Sequence, residues 1–188
     1  MFLSIDGLDG SGKSTVSRAL AGMLEGRSGS VLLVEHPGEG LLGRTCRRLL
    51  LKDGLPAALF AAAFLSAEML LGSRRIRRAG CDVVAVRYTL SAFYLPGPLC
   101  RPMYRAFSAV MPVPDAMVFV DVDPETAMER VSSRGSAVEM FENRESMEEV
   151  RRRVLSEPGV VVVDGSGTPE EVARDILEKV AESCSNLF

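Results

Sequence analysis

A chain of 188 residues, 47% hydrophobic and 25% charged, has the size and makeup of one globular domain with a substantial core, residues 1–188 forming a single unit. Its net charge of −3 gives no reason to expect a nucleic-acid partner, and arginine carries most of the positive charge, the lysines being Lys13, Lys52 and Lys179. Cys46, Cys81, Cys100 and Cys184 include no C-x-x-C pair and none is near the one histidine, His36, so neither zinc nor a disulfide framework is expected, and Cys81, at the start of a strand, reads as core.

Phe2 to Asp6 reads as a short buried strand, Ser14 to Leu24 as a helix with one apolar side, and Val31 to Val34 as a second buried strand. Strand character from residue 2 leaves no signal peptide, so the cytoplasm is the expected location. Leu41 to Lys52 looks helical, and Pro56 suits the first turn of a long helix to about Ala79. The first half of that helix is apolar all round, so it is either a central core helix or half of a subunit interface in a homodimer. Its longest apolar run, Leu55 to Ala67, is too short for a bilayer and is followed by Glu68, so no membrane partner is expected.

Asp82 to Val86 is a third strand, Tyr88 to Pro98 an irregular connection, and Leu99 to Val110 a helix ended by Pro112 and Pro114. A fourth strand, Ala116 to Asp121, leads to a helix from Pro124 to about Arg134, then a short polar break from Gly135 to Glu142. Arg144 to Ser156 is helical and Gly159 to Val163 is a fifth strand. Thr168, Pro169 and Glu171 form a capping-box start for a final helix to about Glu182. Alternating strands and helices, with several strands apolar throughout, predict an α/β fold: a doubly wound sheet of about five parallel strands with helices on both faces. Ligands of such sheets bind beyond the carboxyl ends of the strands, which selects residues 9–14, 36–40, 87–94, 121–124 and 164–167.

Between the first strand and helix, Gly7-Leu8-Asp9-Gly10-Ser11-Gly12-Lys13-Ser14 matches the pattern G-x-x-x-x-G-K-[ST] of the P-loop NTPases. Backbone N–H groups of such a loop and the helix dipole behind it cradle a phosphate. The pattern therefore predicts binding of a nucleoside triphosphate, with Lys13 on the terminal phosphates and the Ser14 hydroxyl as a magnesium ligand.

With these strand-end residues assembled, the chain resembles thymidylate kinase, a nucleoside monophosphate kinase, nearly end to end. The likeness is carried by Ile5 to Thr15, by His36-Pro37-Gly38 in place of a Glu-Pro-Gly turn, and by Arg87-Tyr88 in place of Asp-Arg-Tyr. It continues through Pro114-Asp115 and Phe119 to Glu125, with Ala127, Arg130 and Arg134. Met140 to Asn143 and Val163-Asp164 with Thr168 to Val172 complete it. The chain departs from the family at Val86 for an Asp, Ala63-Phe64 for Asp-Arg, Met140 for an Arg, Glu39-Gly40 for Gly-Thr, and in a short lid.

The resemblance implies transfer of the γ-phosphoryl of ATP, with Mg2+, to the 5′-phosphate of a pyrimidine nucleoside monophosphate, dTMP first. Gly10, Ser11, Gly12, Lys13, Ser14 and Thr15 would hold the donor. Asp9 would orient the acceptor or cap its own loop. Arg87 and, second, Arg44 would hold the acceptor phosphate or serve as surface charges. Pro37, Phe64 and Tyr94 would line the acceptor side or simply pack. The loop has no arginine, so the lid would supply it: Arg134 first, Arg130 beside the adenine or the phosphates, Arg144 an outside choice. Asp164-Gly165-Ser166 would lie against the adenine. Gly135 would let the lid hinge over residues 135–142. Two other readings stay open: a kinase for another pyrimidine nucleotide or nucleoside, and a nucleotide-binding regulatory protein with weak or no transfer.

Overall fold

A computed structural model describes residues 1–52, 54–95, 97–133 and 142–185. Its sheet has five parallel strands: β1 (Phe2–Gly7), β2 (Val31–Glu35), β3 (Asp82–Val86), β4 (Ala116–Asp121) and β5 (Val160–Asp164). Their order is β2-β3-β1-β4-β5, so the chain starts in the middle of the sheet, builds one half and returns to build the other. Register brings the carboxyl ends together: Ile5 pairs with Val86, Glu35 with Val86, Gly7 with Val120, and Asp121 with Asp164.

The period-two alternation of the strands sorts side chains into two layers. Leu3, Ile5, Val84, Val118, Val120 and Val163 face α1 (Lys13–Ser28) and α7 (Pro169–Ser185), meeting Val16, Leu20, Val172 and Ile176. The opposite face meets two clusters. Phe119 packs with Val131 of α5 (Pro124–Ser133) and with Met147, Val150 and Val154 of α6 (Arg144–Leu155). Val83 and Ala85 pack with Met69 and Ile76 of α3 (Leu55–Arg77) and Phe107 of α4 (Gly97–Val110). Between α1 and α3, α2 (Leu41–Leu50) lies against α3 through Cys46, Leu50 and Ala61.

The helix ends follow their chemistry. Thr168 and Glu171 cap α7 reciprocally: the Glu171 carboxylate accepts from the Thr168 N–H at 2.8 Å, and Thr168 Oγ1 accepts from the Glu171 N–H at 3.3 Å. Asn143 caps α6 by accepting the Ser146 N–H at 3.0 Å.

Some readings are corrected. The connection after β3 is not irregular throughout: Thr89–Tyr94 is a 3-10 helix whose Leu90, Ala92 and Phe93 are buried. The next helix starts at Gly97 and contains Pro102. Cys81 is half-buried rather than core, because it precedes the strand; Cys46 and Cys100 are buried. Helix α3 is not enclosed on every side. Leu55, Leu59, Phe60, Leu70 and Leu71 stand 42–62% exposed, because among the described residues α3 buries one stripe, through Ala58, Ala61, Met69 and Ile76. By length and composition the full helix is apolar enough to cross a membrane, which its first 13 residues alone are not; here it is a packed element of the domain, joined to α2 and β3.

Candidate active site

The loop after β1 has the backbone its pattern calls for. Gly10 and Gly12 hold φ of 84° and 85°, the left-handed region where a side chain is strained. A Cβ on Gly10 would also lie 2.2 Å from the Ala127 carbonyl oxygen, so the loop is seated against α5 as well as leading into α1. Gly12 is the N-cap of α1 and supplies no side-chain cap to its first turn; a Cβ there would meet nothing within 4 Å. A helix N-terminus open in this way, with no acidic residue in its first turn, is a receptor for an anion. Ser11 is buried with its Oγ unpartnered among the described residues, Ser14 is half-buried and Thr15 exposed at the start of the helix.

The charged groups converge beside this cradle. Lys13 is buried and donates to the Leu8 carbonyl at 3.0 Å and to Asp9 Oδ1 at 2.9 Å. Arg87, from the end of β3, donates to the same Asp9 oxygen. Its φ of 57° turns the chain sharply out of the sheet toward the loop. One buried carboxylate thus joins the lysine of the phosphate loop to the arginine of the neighbouring strand. Burial pulls the Lys13 pKa down, and the Arg87 charge adds to this, while Asp9 opposes both.

Beneath this trio lies Asp6, which the sequence reading did not single out. It accepts from the Tyr88 N–H at 3.3 Å and from Ser91 Oγ at 3.3 Å, so it holds the turn that aims Arg87. Complete burial pushes its pKa up to about 6, against its hydrogen bond from Tyr88 and the Lys13 and Arg87 charges. The available signal was a lone acid near the end of a strand that is otherwise uncharged.

A small cavity of about 40 Å³ opens beside Asp9 and Arg87, lined also by Pro37, Leu50, Leu65, Ser91 and Tyr94. It shares Leu50, Leu65, Ser91 and Tyr94 with an apolar cavity of about 50 Å³ between α2, α3 and α4, whose polar lining comes from the hydroxyls of Ser66, Ser91 and Tyr94 and the Cys46 thiol. Tyr94 also donates to the Gly7 carbonyl at 3.1 Å, tying this wall to the loop. Larger grooves along α6 are lined by charges already matched, such as Arg144 with Glu125 and Glu148, and Arg153 with Glu149.

Two assigned residues fall elsewhere. Phe64 does not line these cavities; it packs half-buried against Cys46, Leu50 and Ala61, because its position on α3 faces α2. Arg44 and Arg47 are both exposed, and it is Arg47 that reaches the turn after β2, donating to the Pro37 carbonyl at 2.9 Å and the Gly38 carbonyl at 2.7 Å. The reason is helical: Gly43 lies so close that a Cβ there would be 2.0 Å from the Gly38 oxygen, and residue 47 is one turn along the same face. On the donor side, Arg130 Nη1 approaches the Gly165 carbonyl at 3.4 Å, bringing these two residues together. Asp121 of the β4 end is gripped by Arg151 at 2.6 and 2.7 Å. Arg144 is exposed and paired with Glu125 and Glu148. Arg134, Gly135 and all but Glu142 of the lid lie outside the described residues.

The cradle fits a triphosphate: open N–H groups, a buried lysine and an arginine surround one end of it. Among the described residues no group of three or more His, Cys, Asp or Glu could cage a metal; the half-buried Ser14 hydroxyl at the start of α1 is an oxygen that could hold a magnesium ion.

Comparison with known proteins agrees with this geometry. The family model described as thymidylate kinase matches residues 5–176. A probable thymidylate kinase from Pyrobaculum aerophilum is 34% identical, the match covering 95% of each chain. One from Archaeoglobus fulgidus is 31% identical over 100% of this chain and 97% of its own. Among solved structures, thymidylate kinase from Candida albicans superposes with a TM-score of 0.70 at 21% identity, covering 97% of this chain and 91% of that one, which supports the fold. With the matched loop, strand ends and cradle in place, the chain belongs to the thymidylate kinase family.

Proposed function

We propose that the protein transfers the γ-phosphoryl group of ATP to dTMP, giving dTDP and ADP. An oxygen of the dTMP phosphate forms the new P–O bond as the bond to the ADP oxygen breaks. The observation that carries this reading is the Asp9 carboxylate shared by Lys13 and Arg87. It sets the two cations at the junction between the loop that receives one phosphate and the cavity that would receive the other.

Phosphoryl transfer asks the protein for position and charge. Lys13 would meet the β- and γ-oxygens. Arg87, with its planar fork, would hold the acceptor phosphate or the group in transit. Asp9 would keep both cations aligned and orient the acceptor. Ser14 would ligate magnesium, which supplies further neutralisation of phosphate charge. Arg130 and Gly165 would lie on the adenine side, and Arg134 would bring the remaining charge from the lid. We further infer that the protein works in the cytoplasm, and as a homodimer joined through α3, whose exposed leucines and Phe60 support a second copy as partner.

A second reading, relaxed choice of base, is favoured by one observation: the cavity between α2, α3 and α4 presents hydroxyls and a thiol but no charged side chain. ADP release measured with dTMP, dUMP, CMP, UMP and thymidine separates the two. Turnover with dTMP well above the others supports the first reading. Comparable turnover across the pyrimidine monophosphates supports the second. ATP binding with no acceptor-stimulated ADP release sinks both and favours a regulatory protein.

A further inference from the structure

The turn after β2 is clamped from two helices. From α2, Arg47 donates to both of its carbonyls, those of Pro37 and Gly38. From α3, Glu68 Oε1 accepts the Gly38 N–H at 2.9 Å. The other carboxylate oxygen, Oε2, is buried and faces His36 Nδ1 at 3.7 Å, beyond hydrogen-bond length. Neither ring nitrogen of His36 has a hydrogen-bond partner among the described residues, although the ring is nearly inaccessible. Two glycines make room: a Cβ on Gly38 would stand 2.7 Å from Glu68 Oε1, and one on Gly72 would stand 3.2 Å from His36 Cε1. Pro37, inside this clamp, is a wall of the cavity that also holds Asp9 and Arg87.

We propose that Glu68 and His36 are coupled positioning residues for the phosphate acceptor: the carboxylate fixes the Pro37–Gly38 turn, and the imidazole occupies the place where a second carboxylate would repel it. The inference rests on the reading of that cavity as the acceptor side. The local logic is electrostatic. One Glu68 oxygen accepts the Gly38 N–H, and the other points at residue 36. A neutral or protonated imidazole tolerates that charge. A glutamate at position 36, the residue found there in the family this chain resembles, would set two carboxylates against each other in a closed space. Other charged groups nearby are committed elsewhere: Glu35 to Arg18 of α1, Arg47 to the turn carbonyls, and Arg87 to Asp9.

The test compares wild type with Glu68→Leu, Glu68→Gln, His36→Glu and the double variant His36→Glu/Glu68→Gln. Steady-state constants for dTMP and ATP are measured, with calorimetric binding of dTMP and the amide proton shift of Gly38 by NMR. Glu68→Leu is expected to raise the dTMP KM and Kd about tenfold, as for loss of one charge-assisted hydrogen bond, with the ATP KM within about twofold. Glu68→Gln, which keeps an acceptor for the Gly38 N–H, is expected to recover most of that loss. His36→Glu is expected to weaken dTMP by more than about tenfold, and the double variant to return to within about threefold of wild type. An unchanged dTMP KM in Glu68→Leu, or effects of His36→Glu and Glu68→Gln that merely add, overturns the proposal. If Glu68→Leu does not fold, the additivity of the other pair decides. Should wild type neither bind nor phosphorylate dTMP, the acceptor reading has failed instead. The Gly38 amide shift, lost in Glu68→Leu and kept in Glu68→Gln, then still tests the clamp, and an unmoved shift in both rejects it.

Discussion

At the scale of single residues, the site is organised around two buried carboxylates with different tasks. Asp9 gathers Lys13 and Arg87, and Asp6 holds the turn behind Arg87. Arg87→Ala is expected to lower turnover about a hundredfold while the ATP KM stays within about twofold, as for loss of a group that stabilises developing charge; unchanged turnover would remove Arg87 from the site. Asp6 makes a pH prediction. Its pKa is about 6 folded and 3.8 by ordinary value, so between these the folded state binds more protons than the unfolded one. Stability from this group is therefore full below about pH 4 and is lost as pH rises to about 6. Asp6→Asn cannot ionise, so its stability relative to wild type should rise through that window in urea titrations. A difference that stays flat with pH would mean that Asp6 is not buried uncharged at low pH.

At the scale of elements, the acceptor side depends on how closely α2 and α3 approach the turn after β2. Gly43 is where α2 touches it, and Gly43→Ala would put a methyl group 2.0 Å from the Gly38 oxygen. The expected result is a loss of about 2 kcal/mol in stability, the usual cost of overpacking, with a raised dTMP KM and an unaltered ATP KM. Equal stability and unchanged kinetics would show that α2 can move off the turn freely. The sequence made α2 and α3 legible as helices, through periodicity and Pro56. It could not say which arginine of α2 reaches the turn after β2. Arg44 and Arg47 both sit on the helix, and only the contact of Gly43 with Gly38 decides that the arginine one turn on meets the turn carbonyls. Phe64 is the same lesson on α3: an aromatic next to a cavity in the chain pattern turned out to face the neighbouring helix.

At the scale of the whole molecule, α3 leaves a broad apolar stripe to solvent. Phe60 at 62% and Leu71 at 53% exposure are three turns apart on one side, with Leu59 and Leu70 beside them. Sedimentation at micromolar concentration is expected to give a dimer, and Phe60→Glu/Leu71→Glu a folded monomer, because a pair of charges cannot be buried there unpaired. A wild-type monomer would rule out the α3 interface.

The order of strands and helices, the parallel sheet and the phosphate loop were all legible in the chain, because each depends on local rules: apolar runs for covered strands, glycines where φ must be positive, a lysine beside a helix start. The contact of Arg130, in the last turn of α5, with the Gly165 carbonyl was not among them. What only the tertiary structure decided was which charges meet. Asp9 lies 78 residues from Arg87, Asp6 82 from Tyr88, and Glu68 30 from Gly38. Hydrogen bonds act over about 3 Å, and no periodicity within a segment encodes a distance between segments. The sheet order β2-β3-β1-β4-β5 brings those segments to one edge, and packing of α2 and α3 sets which side chains finish the site.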